Sequence, residues 1–380
     1  MDKQAITIPN LEALDLTPKP WVDTKSQITD IAGLLASPKV KEHWRYTSAT
    51  RLLNDYIEHS NKAVIHPLLD IEHTNGELII EDFSGLNVVD LKLVKSSLGK
   101  IDPVRFPLSA LKTLSSTSGY LITARTNPTE EMLLKINTTG QLVILKVENG
   151  ANISIIENIE AKSFSNSILL IDIGAESKVT HARSALSDKS IEVSLSEVYL
   201  AKKARYCLEQ YYVGSVKRRS DTHITLTGDQ SKAFVTGAYV TGPDQHLDQN
   251  IIVEHQGKNT ESIQQINGIG RSRSQSSFLG RIHIHDKAKF SDAKLDNKNL
   301  ALGENVTINA KPELEIYTNE VSCSHGATVG QLDEEQLFYL QSRSINKETA
   351  IAILSQSFIK SCIKGKLTEL VTKKFNECLI

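Results

Sequence analysis

Cysteine is scarce in this 380-residue chain, and its few copies lie far apart. No two of them stand at the Cys-x-x-Cys spacing; they are Cys207, Cys323, Cys362 and Cys378. This pattern excludes a disulfide framework and a zinc knuckle, and it favours a reducing compartment. We therefore expect a cytoplasmic protein.

Other absences narrow the class of function. Aromatic residues make up only 6% of the chain, which argues against a surface that stacks sugars or single-stranded bases. Basic and acidic residues number 43 and 45, and no long basic block occurs, so neither nucleic acid nor an anionic membrane is an expected partner. Met1–Pro9 lacks a secretion-signal pattern, and no run of about eighteen apolar residues follows.

Nucleotide-binding motifs are also missing. The stretch Asn267-Gly268-Ile269-Gly270 has two glycines but no third, and it has no strand-then-helix context. No P-loop is present, so we expect that the chain binds no nucleotide and that any ATP hydrolysis comes from a partner. We see no convincing catalytic set and predict that the chain is not an enzyme.

The chain before residue 138 divides into two parts. Residues 1–62 carry apolar residues at helical spacing over Ser26–Leu35 and Thr47–Tyr56, which predicts an N-terminal helical region. Residues 63–137 mix short strand candidates with a predicted helix near Leu108–Leu114, and we interpret them as a connecting region.

A different pattern covers residues 138–330. Short β-rich runs such as Leu142–Val147 follow one another without helical stretches between them. A small-residue step recurs at intervals of 24, 29, 29 and 55 residues, marked by Ala151, Ala175, Ala204, Ala233 and Ala288. Such a repeat is typical of a solenoid, so we predict a β-helix core with one coil per roughly 20–30 residues. An ordinary β-sandwich is the alternative.

The tail, residues 331–380, is predicted to be a helical domain. Asp333-Glu334-Glu335 suits a first helical turn, and Asn346 is a candidate N-cap for the next helix. Ile351, Leu354 and Phe358 then share one helix face. These helices could cap the core or offer a surface to a partner.

The one close Cys/His pair in the sequence lies at the end of the β-rich segment. Cys323 and His325 are two residues apart, so an extended strand places the thiol and the imidazole on the same side. Both groups are good ligands for iron or zinc. The spacing alone also fits a core cysteine beside an unrelated histidine.

A second histidine pair has two interpretations. His283 and His285 alternate with Ile284 and therefore share one strand face. They are either a metal pair or part of the polar outside of a coil.

Several segments together resemble the SufB/SufD family of iron–sulfur cluster assembly proteins, and its SufD branch in particular. The similar segments are Lys41–Thr47, Phe278–Ile282, Asn297–Leu300, Lys311–Ile316, Cys323–Gly330 and Asp333–Arg343. In the SufB branch, one coil carries a cysteine associated with cluster building, and its place falls here on Val306. Valine supplies no thiolate, which favours the partner subunit over the main scaffold.

The resemblance implies a mainly β fold, with a right-handed parallel β-helix between N-terminal and C-terminal helical regions. It implies pairing with SufB through the β-helix ends, where His325, with Cys323 beside it, would hold iron or a transient iron–sulfur cluster shared with SufB. It also implies that the C-terminal helices bind the SufC ATPase, and the residues that we expect to make this contact are Phe338, Tyr339, Ile351, Leu354 and Phe358. A homodimer of the isolated chain is a further possibility, and flavin binding and cluster type stay open.

Two departures from the family pattern concern the same part of the chain. Ser344 stands where members of the family commonly have glycine, so we expect a differently shaped turn before the last helices. Asn319-Glu320 replaces a common Asp-Asp and removes one carboxylate near the expected interface.

Two other functions are kept as alternatives to the scaffold. A β-helix enzyme acting on polysaccharide would need clustered carboxylates on one face. A stand-alone metal-binding protein would use His283, His285, Cys323 and His325.

Overall fold

The computed structural model of the chain describes residues 17, 19–22, 31–60, 69–127 and 129–379. The predicted helix over Ser26–Leu35 therefore begins outside the described residues. Within them, the N-terminal helices are α1 (Ile31–Ala36), α2 (Pro38–His43), α3 (Ala49–Ser60), α4 (Val88–Leu98) and α5 (Pro107–Ser115).

Trp44 anchors the N-terminal region on the rest of the molecule. Its indole is buried, lies 3.9 Å from the guanidinium of Arg219, and donates from Nε1 to the Arg105 carbonyl at 2.9 Å. Ser48 accepts a hydrogen bond from the Arg51 N–H at 3.3 Å and so caps α3. Tyr46, two residues after Trp44, is only half-buried.

The described residues form eighteen strands, most of them about ten residues long. In chain order they are β1 (Asp70–Thr74), β2 (Glu77–Asp82), β3 (Tyr120–Arg125), β4 (Glu131–Asn137), β5 (Leu142–Val147), β6 (Asn152–Asn158), β7 (Phe164–Ile173), β8 (Lys178–Ala185), β9 (Ile191–Leu200), β10 (Arg205–Val213), β11 (Lys217–Leu226), β12 (Lys232–Thr241), β13 (His246–His255), β14 (Glu261–Arg271), β15 (Gln275–Ile284), β16 (Ser291–Leu302), β17 (Thr307–Ile316) and β18 (Val321–Gly330).

These strands build two nine-stranded sheets that face each other. From β3 onward the odd strands form one sheet, ending at β17, and the even strands form the other, ending at β18; both sheets are parallel. The result is a β-solenoid of about eight turns, as predicted. The β-sandwich alternative is wrong, because sandwich sheets are built from antiparallel strands.

The first strand pair of each sheet is antiparallel, whereas the later pairs are parallel. At their first edges, β1 pairs antiparallel with β4, and β2 pairs antiparallel with β3. The parallel pairing itself begins at β3 and β4, which lie in the segment 63–137 that the sequence suggests as a connecting region. Those two strands have only six and seven residues, so their period-2 signal is weak.

One residue per coil adopts a left-handed backbone at the same corner of the solenoid. The φ angles lie between +55° and +73°, and each of these residues donates its N–H to a carbonyl of the following coil at 2.6–2.9 Å. They recur every 26 to 31 residues: Gly150, Glu176, Lys203, Gln230, Asn259 and Phe290. The residue after each is small and buried: Ala151, Ser177, Ala204, Ser231, Thr260 and Ser291.

The inside of the solenoid holds the main core, and each sheet has helices on its outer face. Inward-facing aliphatic side chains from successive coils stack on one another, and full burial of each stabilises the fold by about 1.5–3 kcal/mol. Trp21, α4 and α5 pack on the outer face of the odd-strand sheet. The C-terminal helices α7 (Lys347–Lys360) and α8 (Thr368–Leu379) pack on the even-strand sheet. Within the described ranges, no helix has the length and apolar character that would let it cross a membrane.

Candidate metal and partner site at the open end of the solenoid

Strand β18 places Cys323 and His325 on the inner side of the last coil. In the parallel register, Cys323 is paired with Ala293 and His325 with Leu295, and both partners belong to the buried core. Paired residues of parallel strands point to the same face. The thiol and the imidazole therefore continue an inward-facing column of side chains, on one side of the strand, as their spacing predicts.

Among the described residues no further coil covers this end, and its side chains are accessible. No residue of β17 or β18 is buried, in contrast to strands β3 to β16, which all contain buried residues. Strand β17 contains Pro312, which has no N–H to offer to a neighbouring strand. Large apolar side chains with exposed fractions of 40% or more surround this open end: Phe290, Ile316, Tyr317 and Val329.

The two ligand candidates differ in availability. Cys323 packs partly against the core, and this burial, with the Asp292 carboxylate nearby, raises the pKa of its thiol. His325 is exposed. At neutral pH the thiol thus keeps its proton, whereas the imidazole is within reach of an incoming ion.

These two side chains do not make a complete site in this chain. In the described part of the chain, three or more potential metal ligands come together only at Glu254, His283 and His285. Cys323 and His325 supply two ligands at most, fewer than a tetrahedral iron or zinc centre needs. Within the part of the chain that the structure describes, these two side chains alone do not complete a metal site.

The five side chains predicted to contact an ATPase lie in two different environments. Helix α6 (Glu334–Ser342) follows β18 directly and buries none of its residues, and its Phe338 and Tyr339 are 73% and 57% exposed. On α7, Ile351 and Leu354 are half-buried, and Phe358 packs against the even-strand sheet. Asn346 caps α7, as predicted. Asp333, which the sequence places in the first turn of α6, is instead the N-cap of that helix, and Glu334 and Glu335 occupy the first turn.

Ser344 reproduces the backbone that glycine would give. Its φ is +64°, its N–H donates to the Gln341 carbonyl at 3.0 Å, and the Ile345 N–H donates to the Leu340 carbonyl at 3.3 Å. These two bonds define a Schellman motif with serine at the left-handed position. The hydrogen bonds thus hold serine in the left-handed conformation that glycine prefers.

The remaining predicted positions, His283, His285 and Val306, lie on or next to the odd-numbered strands β15 and β17. His283 and His285 share the outer face of β15 and its end, with their rings stacked at 4.1 Å, and sequence reasoning missed their third neighbour, Glu254. Val306 lies at the corner between β16 and β17, next to the left-handed Asn305.

A family model and several curated proteins that are similar to this chain point to the same family. The family described as "SUF system FeS cluster assembly, SufBD core domain" matches residues 134–358, more than half of the chain. The iron–sulfur cluster assembly protein SufD of Escherichia coli is 28% identical over 59% of this chain and 54% of its own length. A SufBD family protein of Synechocystis is 29% identical (57% and 51%), and protein ABCI7, chloroplastic, of Arabidopsis thaliana is 28% identical (59% and 49%). The chain thus spans about half the length of these curated relatives.

Proposed function

Because the chain belongs to the SufBD family of iron–sulfur cluster assembly proteins, we propose that it is the SufD-type subunit of a complex with a SufB-type chain and a SufC-type ATPase. In this role it is a scaffold without catalytic activity of its own. The likeness to SufD of Escherichia coli supports the choice of branch, and so does Val306 at the place of the SufB cysteine.

The observation that carries the proposal is the position of His325 and Cys323. Both face inward from the last coil, at an end with unpaired strand edges and exposed apolar side chains. A second solenoid that joined this end would cover the apolar rim and bring its own ligands to the two side chains. A nascent cluster held between two chains is cargo that can be passed on, because separation of the chains removes part of its ligand set.

The two side chains have different tasks in this proposal. His325 binds first, since its imidazole is exposed and within reach of an incoming ion. Cys323 binds only after its thiol loses a proton, which the positive charge of iron promotes. His325 is therefore the main ligand from this chain, and Cys323 strengthens the site once metal is present.

The C-terminal helices provide the second contact. Phe338 and Tyr339 form an exposed aromatic pair on a helix that buries nothing, and such residues are enriched at the centres of protein interfaces. We assign them to the ATPase, which would supply the nucleotide chemistry. The half-buried Ile351 and Leu354 would extend this surface.

The proposed function also implies a cytoplasmic location and a dimeric state for the isolated chain. None of the four cysteines forms a disulfide, which agrees with a reducing cytoplasm. In the absence of its partner, the open end could pair with the same end of a second copy, so a homodimer is the expected state of the isolated chain.

The test is co-expression of the tagged chain with SufB-type and SufC-type proteins from the same organism. The purified complex is reconstituted anaerobically with iron and sulfide, and its mass and visible absorbance are recorded. His325→Ala is compared with His73→Ala, which removes an exposed histidine on β1. We expect His325→Ala to leave the mass of the complex unchanged and to abolish most of the cluster absorbance, while His73→Ala changes neither.

Two results would contradict the proposal. Unchanged absorbance in His325→Ala would show that the cluster is not bound at this end of the solenoid. Failure of the wild-type chain to form any complex would leave only the fold in common with the family.

A further inference from the structure

Glu254, His283 and His285 come together on the outside of the solenoid. In the parallel register Glu254 is paired with His283, and the potential ligand atoms of all three residues lie within 4.8 Å of one another. His283 has core residues on both sides, Ile282 and Ile284, so its own side chain points outward. This cluster belongs to the odd-strand sheet, whereas Cys323 and His325 face inward from the even-strand sheet.

The nitrogen atoms of the two histidines are directed at the carboxylate. His285 Nε2 lies 3.4 Å from Glu254 Oε2, and His283 Nδ1 lies 3.9 Å from Glu254 Oε1. His283 Nδ1 is buried, and no other polar atom of the described residues makes a hydrogen bond to it. Because a buried polar atom without a partner destabilises the fold, this nitrogen points to a ligand that would satisfy it.

Neighbouring side chains hold Glu254 in place through one of its two oxygens. Oε1 accepts a hydrogen bond from Arg105 Nη1 at 3.3 Å, and His223 Nε2 lies 3.2 Å from it without making a hydrogen bond among the described residues. His223 in turn lies 3.4 Å from Glu197 through its other ring nitrogen. These contacts orient the carboxylate and leave Oε2 directed at His285, which is the kind of outer support that metal ligands usually have.

The composition of the site selects the type of ion. Arg105 brings a positive charge, so a hard cation held by charge alone, such as Mg²⁺, is disfavoured. Two imidazoles and one carboxylate suit zinc or ferrous iron and leave coordination positions open. The His285 side chain is 35% exposed, which gives an ion access from solvent.

We propose that Glu254, His283 and His285 bind one divalent first-row transition-metal ion, Zn²⁺ or Fe²⁺, through two imidazole nitrogens and one carboxylate oxygen. Ligands about 2.1 Å from one ion lie at most about 4.2 Å apart, so the cluster closes around it with shifts of less than about 1 Å. This site is independent of the proposed scaffold function and of His325.

The experiment measures metal binding to the full-length chain with Cys323→Ser and His325→Ala already introduced. This background removes the ligands at the open end, so the two sites are told apart. The apoprotein is titrated calorimetrically with Zn²⁺, with Fe²⁺ under anaerobic conditions, and with Mg²⁺. We expect one equivalent of Zn²⁺ or Fe²⁺ to bind and Mg²⁺ not to bind, and a competition between the first two identifies the preferred ion.

Two ligand variants and one control are compared in the same background. His285→Ala, at the most exposed ligand, and Glu254→Gln should each weaken binding by at least about 100-fold, beyond the range that loss of an outer-shell partner costs. The control His73→Ala should bind as tightly as its parent. Circular dichroism verifies that each variant is folded.

Two outcomes would overturn the inference. One is wild-type affinity in folded His285→Ala; the other is absence of Zn²⁺ and Fe²⁺ binding in the background that lacks Cys323 and His325. Substitution with Co²⁺ adds a spectroscopic check, because a nitrogen and oxygen site gives d–d bands without a thiolate charge-transfer band. Neither overturning result bears on cluster assembly at His325.

Discussion

Arg183 and Glu157 form an ion pair inside the solenoid, with Arg183 Nε 2.6 Å from Glu157 Oε2 and both side chains buried. They are register partners on adjacent coils. Glu157 also accepts hydrogen bonds from His181 Nε2 at 2.8 Å and from the Thr138 hydroxyl at 2.5 Å. The Tyr206 hydroxyl lies 2.7 Å from His181 Nδ1, and a neutral His181 that donates from Nε2 to Glu157 accepts from this hydroxyl at Nδ1. A charged group thus lies in the core with its partners on neighbouring coils.

Removal of the carboxylate charge should be costly. We expect Glu157→Gln to lower the free energy of unfolding by about 3–5 kcal/mol, because the Arg183 guanidinium stays buried without a counter-charge. Urea denaturation measures the change. The control is Glu176→Gln, which breaks a surface ion pair with Lys203 (3.0 Å) and should cost less than about 1 kcal/mol. Equal effects of the two substitutions would show that the buried ion pair contributes no more to the free energy of unfolding than the surface pair.

Acid should weaken the same cluster in two stages. Burial alone would raise the pKa of Glu157, but the Arg183 charge and the His181 hydrogen bond outweigh it and lower this pKa to about 2. Burial lowers the pKa of His181 below its usual 6.5. Both groups bind fewer protons when folded than when unfolded, so stability falls as the pH drops, first below about 6.5 and again from about 4.5 towards 2.

Urea denaturation over a pH series tests this expectation. Each protonation that is suppressed by folding contributes a slope of about 1.4 kcal/mol per pH unit. The lower stage should be missing in Glu157→Gln, since glutamine does not titrate. A wild-type stability that stays level from pH 7 to pH 3 would contradict the assignment.

Glycine at position 344 should stabilise the turn between α6 and α7. Ser344 holds φ at +64°, which costs a residue with a Cβ atom about 1–2 kcal/mol. Part of the gain is lost to the greater freedom of glycine in the unfolded chain, so we expect Ser344→Gly to add about 0.5–1 kcal/mol. Thermal and urea unfolding measure it.

The same helix provides a matched control. Ser342 is the last residue of α6, where glycine brings no relief of backbone strain. Ser342→Gly should therefore reduce stability. The prediction fails if both substitutions move stability in the same direction.

The two groups of predicted ATPase contacts should respond differently to truncation. Phe338→Ala with Tyr339→Ala should leave stability within about 0.5 kcal/mol, because both side chains are already exposed. Under the proposed function, this double substitution should weaken ATPase binding by at least tenfold, as expected for about 2 kcal/mol lost at an interface centre. Pull-down titration against the co-expressed ATPase measures it.

Phe358→Ala is the contrasting variant. It removes a side chain that packs against the even-strand sheet, so it should destabilise the fold by about 2 kcal/mol. Unchanged ATPase binding in the folded double variant would show that the aromatic pair on α6 is not the contact surface.

The solenoid could be predicted because each coil has a recognisable local sequence pattern. β-rich runs and recurring small residues are visible in the sequence, and the predicted run Leu142–Val147 coincides with β5. The recurring alanines mark only some of the corners. Gly150-Ala151 and Lys203-Ala204 are true corners, but Glu176-Ser177 and Gln230-Ser231 fill the same role with serine, and alanine alone does not mark them.

The buried and outer clusters could not be predicted from the sequence. His181 and Arg183 show no reason to share a site until the register places Glu157, 26 residues before Arg183, beside them. Glu254 and His283 are likewise neighbours only through strand pairing. Local spacing revealed Cys323 with His325 because both lie on one strand, whereas contacts between coils depend on the length of every corner between them.

The antiparallel strands at the start of the solenoid set a limit on assembly. β1 and β2 reverse the chain direction there and carry acidic residues such as Glu72 and Glu81, so this end offers no parallel edge to another copy's last coil. An incoming last coil therefore cannot continue the solenoid in its parallel register at this end. Under the proposed function, two chains meet through their last coils, and such a junction uses up the open end of both. On that proposal the chain is one half of a closed pair, and assembly stops at two solenoids.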